Sequence, residues 1–321
     1  MVELGYALSS EEHGANDLVD HAVRAEAVGF DFVSLSDHFH PWLRRQGEAP
    51  FAWTTLGGIA RETTDVDVGV GVTCPIIRFH PANVAQAAAT VAAMLEDDGQ
   101  RFYFGVGTGE NLNEHVVGEG WPPHRVRLEM LEEAVDVCRQ LWSGEMVTHY
   151  GEFYSVENAE LFTLPEESPP VCVSAYGDRT ATAAAEVGDG LFTVGPQDVV
   201  DTYEDEGGDG PKISQLTVCY AEDEDEAVET AHEWWRNSLL PGQLSTELET
   251  HELFEQATEL VDEAAVRESE SLVTDPDPET HVENIREFVD AGYDHVYVHQ
   301  VGPDQQSFFE CYESDVIPAF D

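Results

Sequence analysis

Two short segments carry ionisable groups at spacings that suit proton transfer. The first is Ser36-Asp37-His38-Phe39-His40-Pro41-Trp42 and the second is Gly105-Val106-Gly107-Thr108-Gly109-Glu110. An imidazole exchanges a proton near neutral pH, and a neighbouring carboxylate can orient it or favour its charged form. Trp42, close behind His38, offers a flat apolar wall and one N–H donor. In the second segment three glycines precede Glu110. Bare backbone of that kind suits a flat ring lying against it, with the carboxylate placed to act as acid or base. Each segment also has a plainer reading. Ser36 or Asp37 can cap a turn, and Glu110 can be a solvated surface carboxylate.

Two more segments share the pattern. Gly69-Val70-Gly71-Val72-Thr73-Cys74-Pro75 puts glycines at the end of an apolar run, where a ligand can approach closely. Ser174-Ala175-Tyr176-Gly177-Asp178-Arg179 leads into a helical pattern whose first N–H groups suit an anion, and Arg179 adds positive charge. The glycines before Glu110 are spaced GxGxG rather than GxGxxG. No helix is expected to open at Gly109, because Asn111-Leu112-Asn113-Glu114 runs on into Gly118, Gly120 and Pro122-Pro123. That argues against a Rossmann nicotinamide site. His80, His295, His299, Trp234 and Trp235 read as packing residues. With no HxxxH, HExxH or Cys/His cluster, no metal site is expected, and no GxSxG supports a serine hydrolase.

These segments matter because of where they fall. Eight short, nearly continuous apolar runs are expected as strands: Val2–Ala7, Phe30–Leu35, Asp67–Thr73, Arg101–Val106, Val171–Ala175, Gly190–Val194, Ile213–Tyr220 and His295–His299. Helical patterns lie between them. One is capped by Asn16 and ends near Gly29, and another runs from Pro81 through Met94. A third runs from His124 to Trp142, with Leu128, Leu131, Val135, Cys138 and Trp142 on one face. Others follow Asp178, Asp223–Trp235, Glu279–Ala291 and Asp304–Tyr312. Eightfold alternation predicts an α/β fold, a (β/α)8 TIM barrel with insertions, and an open doubly wound sheet is the alternative. The whole chain, 1–321, reads as one domain. Its longest interruption, about 221–294 and mostly helical, falls between the last two strands. In a parallel barrel all four segments would then lie on the C-terminal rim, where ligands bind.

Composition sets the setting. Sixty-five Asp and Glu stand against fourteen Lys and Arg, a net charge of −51, and Lys212 is the sole lysine. The acid is spread along the chain rather than gathered in a tail. Such self-repulsion destabilises a compact state in dilute buffer and is screened within about 3 Å at molar salt. The expectation is a halophilic, cytoplasmic protein. The charge argues against nucleic-acid and anionic-membrane partners. Five scattered cysteines, without a CxxC, fit reduced thiols. No signal peptide and no membrane-spanning run are seen.

The segment Val33–Trp42 resembles the second-strand motif of the coenzyme F420-dependent glucose-6-phosphate dehydrogenase group, part of the bacterial-luciferase-like superfamily. Gly105–Glu110 with Asn111-Leu112-Asn113-Glu114 resembles its fourth-strand motif. Gln140-Leu141-Trp142-Ser143-Gly144 and Gly151-Glu152-Phe153-Tyr154 are similar to a further landmark, and Asp275-Pro276-Asp277 and Asp304-Gln305 extend the likeness. The resemblance covers nearly the whole chain and is weakest from about 197 to 270. It implies a luciferase-like barrel, usually a homodimer, that holds a deazaflavin at its rim and acts on a small-molecule substrate.

Carried over by position, the resemblance implies that Asp37 and His38 contact the deazaflavin. It makes His38 the proton acceptor or donor for a substrate hydroxyl, places Trp42 beside the reacting centre, and makes Glu110 the second proton-handling or charge-stabilising group. Gly71-Val72 matches a non-prolyl cis peptide. Cys74, Thr108, Gly109, Ser174, Ala175, Tyr176 and Gly177 match further cofactor contacts. The chain departs from the pattern at the substrate phosphate: Pro196-Gln197-Asp198 and Leu240–Ser245 lack the lysines of the sugar-phosphate enzymes, and the arginine position falls near Ser269, with Arg267 close by. Tyr176 stands where a glycine is usual. The function implied is an F420-dependent oxidoreductase acting on a sugar or secondary alcohol, and not on glucose-6-phosphate. An FMN-dependent monooxygenase and a non-catalytic flavin-binding barrel are the alternatives.

Overall fold

Eight of the ten strands in the computed structural model close into a parallel barrel, and the structure describes residues 2–96 and 98–320. They are β1 (Glu3–Leu8), β2 (Phe32–Leu35), β3 (Asp67–Thr73), β4 (Phe102–Val106), β7 (Val171–Ser174), β8 (Gly190–Val194), β9 (Lys212–Val218) and β10 (His295–Gln300). The order around the barrel is β1-β10-β9-β8-β7-β4-β3-β2, every pair parallel. Each expected strand is present to within a few residues at its ends. Alternation within a strand divides the core. Val33, Leu35, Val68, Val70, Val296 and Val298 pack outward against helices, while Phe32, Tyr103, Cys172, Phe192 and Tyr297 fill the barrel interior.

The outer layer holds α1 (Ala15–Val28), α2 (Ala52–Glu62), α3 (Pro81–Glu96), α5 (His124–Trp142), α6 (Asp178–Val187), α7 (Val200–Asp205), α12 (Pro278–Asp290) and α13 (Gln305–Cys311). Helix α1 starts one residue earlier than its expected cap. Gly14, in extended backbone, precedes it, and Asn16 lies inside the first turn. Gly29 ends it in the left-handed region at φ 105°, its N–H returning to Ala25 and Glu26.

Helix α2 was not expected. Its Gly57-Gly58 pair hides a regular buried stripe of Ala52, Thr55, Leu56, Ile59 and Ala60. A side chain on Gly58 would press on Val19 of α1, 3.0 Å away, so the glycine allows the two helices to approach. The antiparallel hairpin β5 (Val147–Tyr150) and β6 (Ser155–Ala159) also goes beyond the expected elements. Its residues are half polar, so no apolar run marks them.

The stretch between β9 and β10 has two parts. Helix α8 (Glu224–Trp235), α9 (Leu244–Glu247), α10 (His251–Thr258) and α11 (Glu263–Arg267) form a cap with its own core. Trp235, Leu240, Phe254, Val266 and Leu272 pack there against Trp42, Leu43 and Leu112 of the barrel rim. Helix α12 instead joins the outer layer through Val282, Ile285 and Phe288. Residues near Val273 return to β9 by a parallel bridge to Val218.

Candidate active site

Three strand ends converge on one imidazole. His38 follows β2, Glu11 follows β1, and Glu110 follows β4. The His38 Nε2 lies 3.3 Å from Glu11 Oε1 and 3.5 Å from Glu110 Oε2. Its Nδ1 is 3.2 Å from the His40 carbonyl and 3.2 Å from Asn113 Nδ2. Asn113 locks the two loops together: its Oδ1 accepts from the N–H of Phe39 and His40, and its Nδ2 donates to Glu110 Oε2 at 3.0 Å. Asn113 sits on α4 (Asn111–Glu114), a single turn that opens directly after Glu110. No helix was expected there. The turn forms because Glu110 takes extended backbone and its carbonyl accepts from Asn113 and Glu114.

The electrostatics follow from one cation between two anions. Burial pushes the His38 imidazole down, but Glu11 and Glu110 outweigh it, and the net pKa lies above its usual value. Burial likewise opposes ionisation of Glu11. His38 and the Ser36 hydroxyl, donating at 2.6 Å, reverse this, and Glu11 titrates below the usual carboxylate range. Glu110 has the weaker support. Burial first, with repulsion from Glu11, pushes its carboxyl up to about 7 despite His38. Its side chain is 29% exposed, the most open of the three. Trp42 closes one side, its ring 4.9 Å from that of His38 and 5.2 Å from Phe254 in the cap.

Asp37 faces away from this cluster. Its side chain is fully buried, accepts from the Thr73 hydroxyl at 2.6 Å and pairs with Arg78 Nη2 at 3.1 Å. Arg78 also donates to the Asp37 carbonyl, and its guanidinium lies near Glu114. The Asp37–Arg78–Glu114 group thus ties together the loops after β2, β3 and β4.

Closely packed, glycine-rich backbone lies beside it on β3, β4 and β7. The Gly71–Val72 peptide is cis, where the resemblance placed one. A Cβ on Gly71 would strike Phe192 and Ser34, both at 2.5 Å, and one on Gly105 would strike the Val70 carbonyl at 2.2 Å. A Cβ on Gly107 would come within 2.9 Å of Val72 and 3.7 Å of both Cys74 Sγ and Ser174 Cβ. Val72, Cys74, Gly107 and Ser174 therefore surround one spot. Burial pushes the Cys74 thiol well up, so it stays protonated. The Thr108 carbonyl is held by Arg127 Nε at 3.1 Å, and Gly109 takes a φ of 80° against Glu114. Ala175 is buried. Gly177 caps α6 in extended backbone. Tyr176 is 59% exposed at the rim.

The structure thus gathers His38, Trp42 and Glu110 in one place, and Val72, Cys74 and Ser174 in a second. Sequence reading missed Glu11, Arg78, Asn113 and Glu114. Glu11 had a usable signal, since Ser9-Ser10-Glu11-Glu12 ends the first strand just as the noted segments end others. Among the described residues no group of three or more His, Cys, Asp or Glu is placed to hold a metal.

A closed (β/α)8 barrel with a carboxylate–imidazole–carboxylate cluster on its C-terminal rim defines the class, a barrel enzyme with a rim site. The chain belongs to the luciferase-like monooxygenase family, which it matches over residues 2–295. It is 36% identical over 335 residues to a protein of Intrasporangium calvum named F420-dependent glucose-6-phosphate dehydrogenase, covering 99% of this chain and 98% of that one. A protein of the same name from Microbacterium testaceum is 34% identical over 332 residues, covering 99% and 97%. Among solved structures, an F420-dependent secondary alcohol dehydrogenase in complex with an F420-acetone adduct superposes with a TM-score of 0.92 at 31% identity, covering 100% and 99% of the two chains. The F420-dependent tetrahydromethanopterin reductase of Methanopyrus kandleri shares the fold, with a TM-score of 0.79 at 22% identity.

Proposed function

We propose that this chain is a coenzyme F420-dependent oxidoreductase that moves a hydride between the carbinol carbon of an uncharged alcohol or sugar and the deazaflavin. The observation that carries the reading is the Glu11–His38–Glu110 cluster beside the glycine cradle. The names of the relatives support the cofactor. The residues present fit it, since Val72, Cys74, Gly107 and Ser174 border one spot at the strand ends where a flat ring would lie against backbone, while Gly71 and Gly105 let the strands beneath it pack closely on Phe192, Ser34 and the Val70 carbonyl.

When bound, the deazaflavin supplies the redox step, accepting or giving the hydride. The chain supplies orientation and proton handling. In the oxidising direction His38 Nε2 takes the hydroxyl proton, and the resulting imidazolium lies between Glu11 and Glu110. The His40 carbonyl, accepting from Nδ1–H, fixes the ring plane and leaves Nε2 free to take the proton. Trp42 and the cap residue Phe254 give an apolar wall that excludes water from the reacting carbon.

The charges at hand support an uncharged substrate. The rim carries Glu11, Glu110, Glu12 and Glu114. Lys212, the sole lysine, starts β9 at the opposite end of the barrel, paired with Glu204 at 3.1 Å. Arg267 is held on the surface by Glu224 and Asp225. Neither is free to clamp a phosphate, whose recognition needs such charge-assisted bonds. We also expect a homodimer, as the family resemblance implies, working at molar salt in a cytoplasm that maintains it.

The test is a titration in molar salt with F420 and, separately, FMN, followed by a substrate panel. F420 is expected to bind, and its visible band to bleach with neutral secondary alcohols or free sugars but not with glucose-6-phosphate. Preferential FMN binding with oxygen uptake would replace the reading by a monooxygenase. Tight F420 binding without turnover across the panel would leave a binding protein.

A further inference from the structure

The turn after β1 places two glutamates back to back, and only Glu11 faces His38. Glu12 turns the other way. Its side chain is fully buried, with Oε2 at 2.7 Å from His299 Nε2 and Oε1 accepting the Gly302 N–H at 2.8 Å. Both partners belong to the end of β10, a different strand from any that supplies the proton-handling cluster. His299 is 2% exposed and packs edge-on to Trp235 of the cap, with ring centroids 4.3 Å apart. Its Nδ1 is buried without a hydrogen-bond partner. A buried, singly partnered imidazole on a fully buried carboxylate is a costly arrangement unless the geometry it imposes is used.

We propose that the Glu12–His299 pair is a positioning device that clamps the turn after β1 to the end of β10 and so sets the distance between Glu11 and His38. The turn is only four residues, Ser9–Glu12, closed by the Glu12 N–H on the Ser9 carbonyl. Its other ties run to the β2 side and to the loop that follows it: the Ser10 N–H and hydroxyl meet Ser36 Oγ, the Ser36 hydroxyl donates to Glu11 Oε2 at 2.6 Å, and the Glu48 N–H donates to the Glu11 carbonyl. The Glu12 carboxylate is therefore the side-chain anchor on the β10 side. A shift of adjacent backbone by even half a hydrogen-bond length would open the Glu11–His38 contact, which at 3.3 Å is already long. The other groups facing His38 come from elsewhere: Glu110 and Asn113 from the β4 side and Arg78 from the loop after β3. Around Glu12 and His299 stand Tyr6, Glu11, His13, Cys219 and Trp235.

The proposal rests on reading His38 as the proton-transfer group, but its test uses the full chain in molar salt with neither cofactor nor substrate, so its failure leaves that reading standing. His38 is titrated by imidazole correlation spectra, assigned by the resonance lost in His38→Gln. His299→Leu removes the clamp and is expected to lower the His38 pKa by about one unit, as a carboxylate within ion-pair distance moves away. His299→Gln keeps a donor to Glu12 and is expected to restore the parent value. Glu12→Asp keeps the charge but shortens its reach. It is expected to act like His299→Leu, and it reads the same quantity if that variant does not fold. A general loss of packing would not give this split. An unchanged His38 titration in folded His299→Leu or Glu12→Asp overturns the proposal. So does a rise, because a rise means that Glu12 acts on His38 by charge rather than by placement.

Discussion

At the scale of single residues the cluster makes opposite predictions for its members. His38→Ala removes the proton acceptor and is expected to cut turnover by about 10²–10⁴ while leaving F420 affinity within a few-fold, read by single-turnover bleaching and by binding titration. Because His38 must be neutral to accept a proton and two carboxylates raise its pKa against burial, kcat/KM for alcohol oxidation is expected to climb as pH rises through a midpoint above the ordinary imidazole value. In the reverse direction the protonated ring donates, and the profile is expected to fall over the same range. Glu110 adds a stability cost. Its carboxyl is pushed up to about 7 in the fold, so between its ordinary value near 4.5 and about 7 the folded state binds the extra proton. Stability therefore falls as pH rises through that window. Glu110→Gln keeps the Asn113 contact and removes the second anion. It is expected to raise Tm by about 2–4 °C at pH 8 with little effect at pH 5, measured by thermal melts. A lower Tm at pH 8 would mean that the charge is stabilising.

At the scale of elements, two half-buried groups report on how the helices hold the loops. Glu133 on α5 accepts the N–H groups of Glu152, Phe153 and Tyr154 and faces His149 Nε2 at 3.2 Å. Burial opposes its ionisation, but these donors outweigh it and hold its carboxyl below the usual range. Its contribution is present above the ordinary carboxylate pKa and is lost as pH falls through the lowered value. Glu133→Gln leaves those amides short of acceptors and is expected to cost about 1–3 kcal/mol, with faster hydrogen exchange confined to residues 149–154. On α1, His21 lies half-buried beside His13, their rings 4.8 Å apart, and loss of hydration pushes its pKa down to about 4. The unfolded chain takes up that proton first, so stability falls as pH drops from about 6.5 towards 4. His21→Leu is expected to flatten that acid limb of a melt-versus-pH curve. An unchanged limb would place the acid sensitivity elsewhere.

At the scale of the molecule the charge dominates. With a net charge of −51, ion pairs such as Arg101 with Asp67 at 2.7 Å and Arg139 with Asp189 at 2.7 Å tie distant parts of the chain together, but fourteen Lys and Arg are too few to neutralise sixty-five carboxylates. Raising KCl from about 0.1 M to about 1 M shortens the screening length from about 10 Å to about 3 Å. Tm is expected to rise steadily across that range. A flat response would show that the acidic surface is not a repulsive burden. The cap is the other whole-molecule feature. Its Glu247 reaches Trp121 Nε1 at 2.9 Å and Arg127 Nη2 at 3.4 Å, and Arg127 in turn holds the Thr108 carbonyl, so the cap and the loop after β4 are joined by one cation.

The sequence by itself determined the barrel, because eight short apolar runs alternating with helical stripes have few other ways to bury both faces. It also placed His38, Trp42 and Glu110 at strand ends, since the rim is where a run stops. It did not reveal Glu11, whose role depends on β1 lying beside β2 around a closed ring, nor Arg78 and Asn113, which are ordinary polar residues until three loops meet. Helix α2 was hidden by a glycine pair that only a neighbouring helix explains, and the hairpin by a carboxylate on α5 that supplies its missing bonds. Local periodicity is written in consecutive residues. The distances that set a pKa, a clamp or a cradle are not, because they depend on which strand ends the barrel closure brings within about 3 Å of one another.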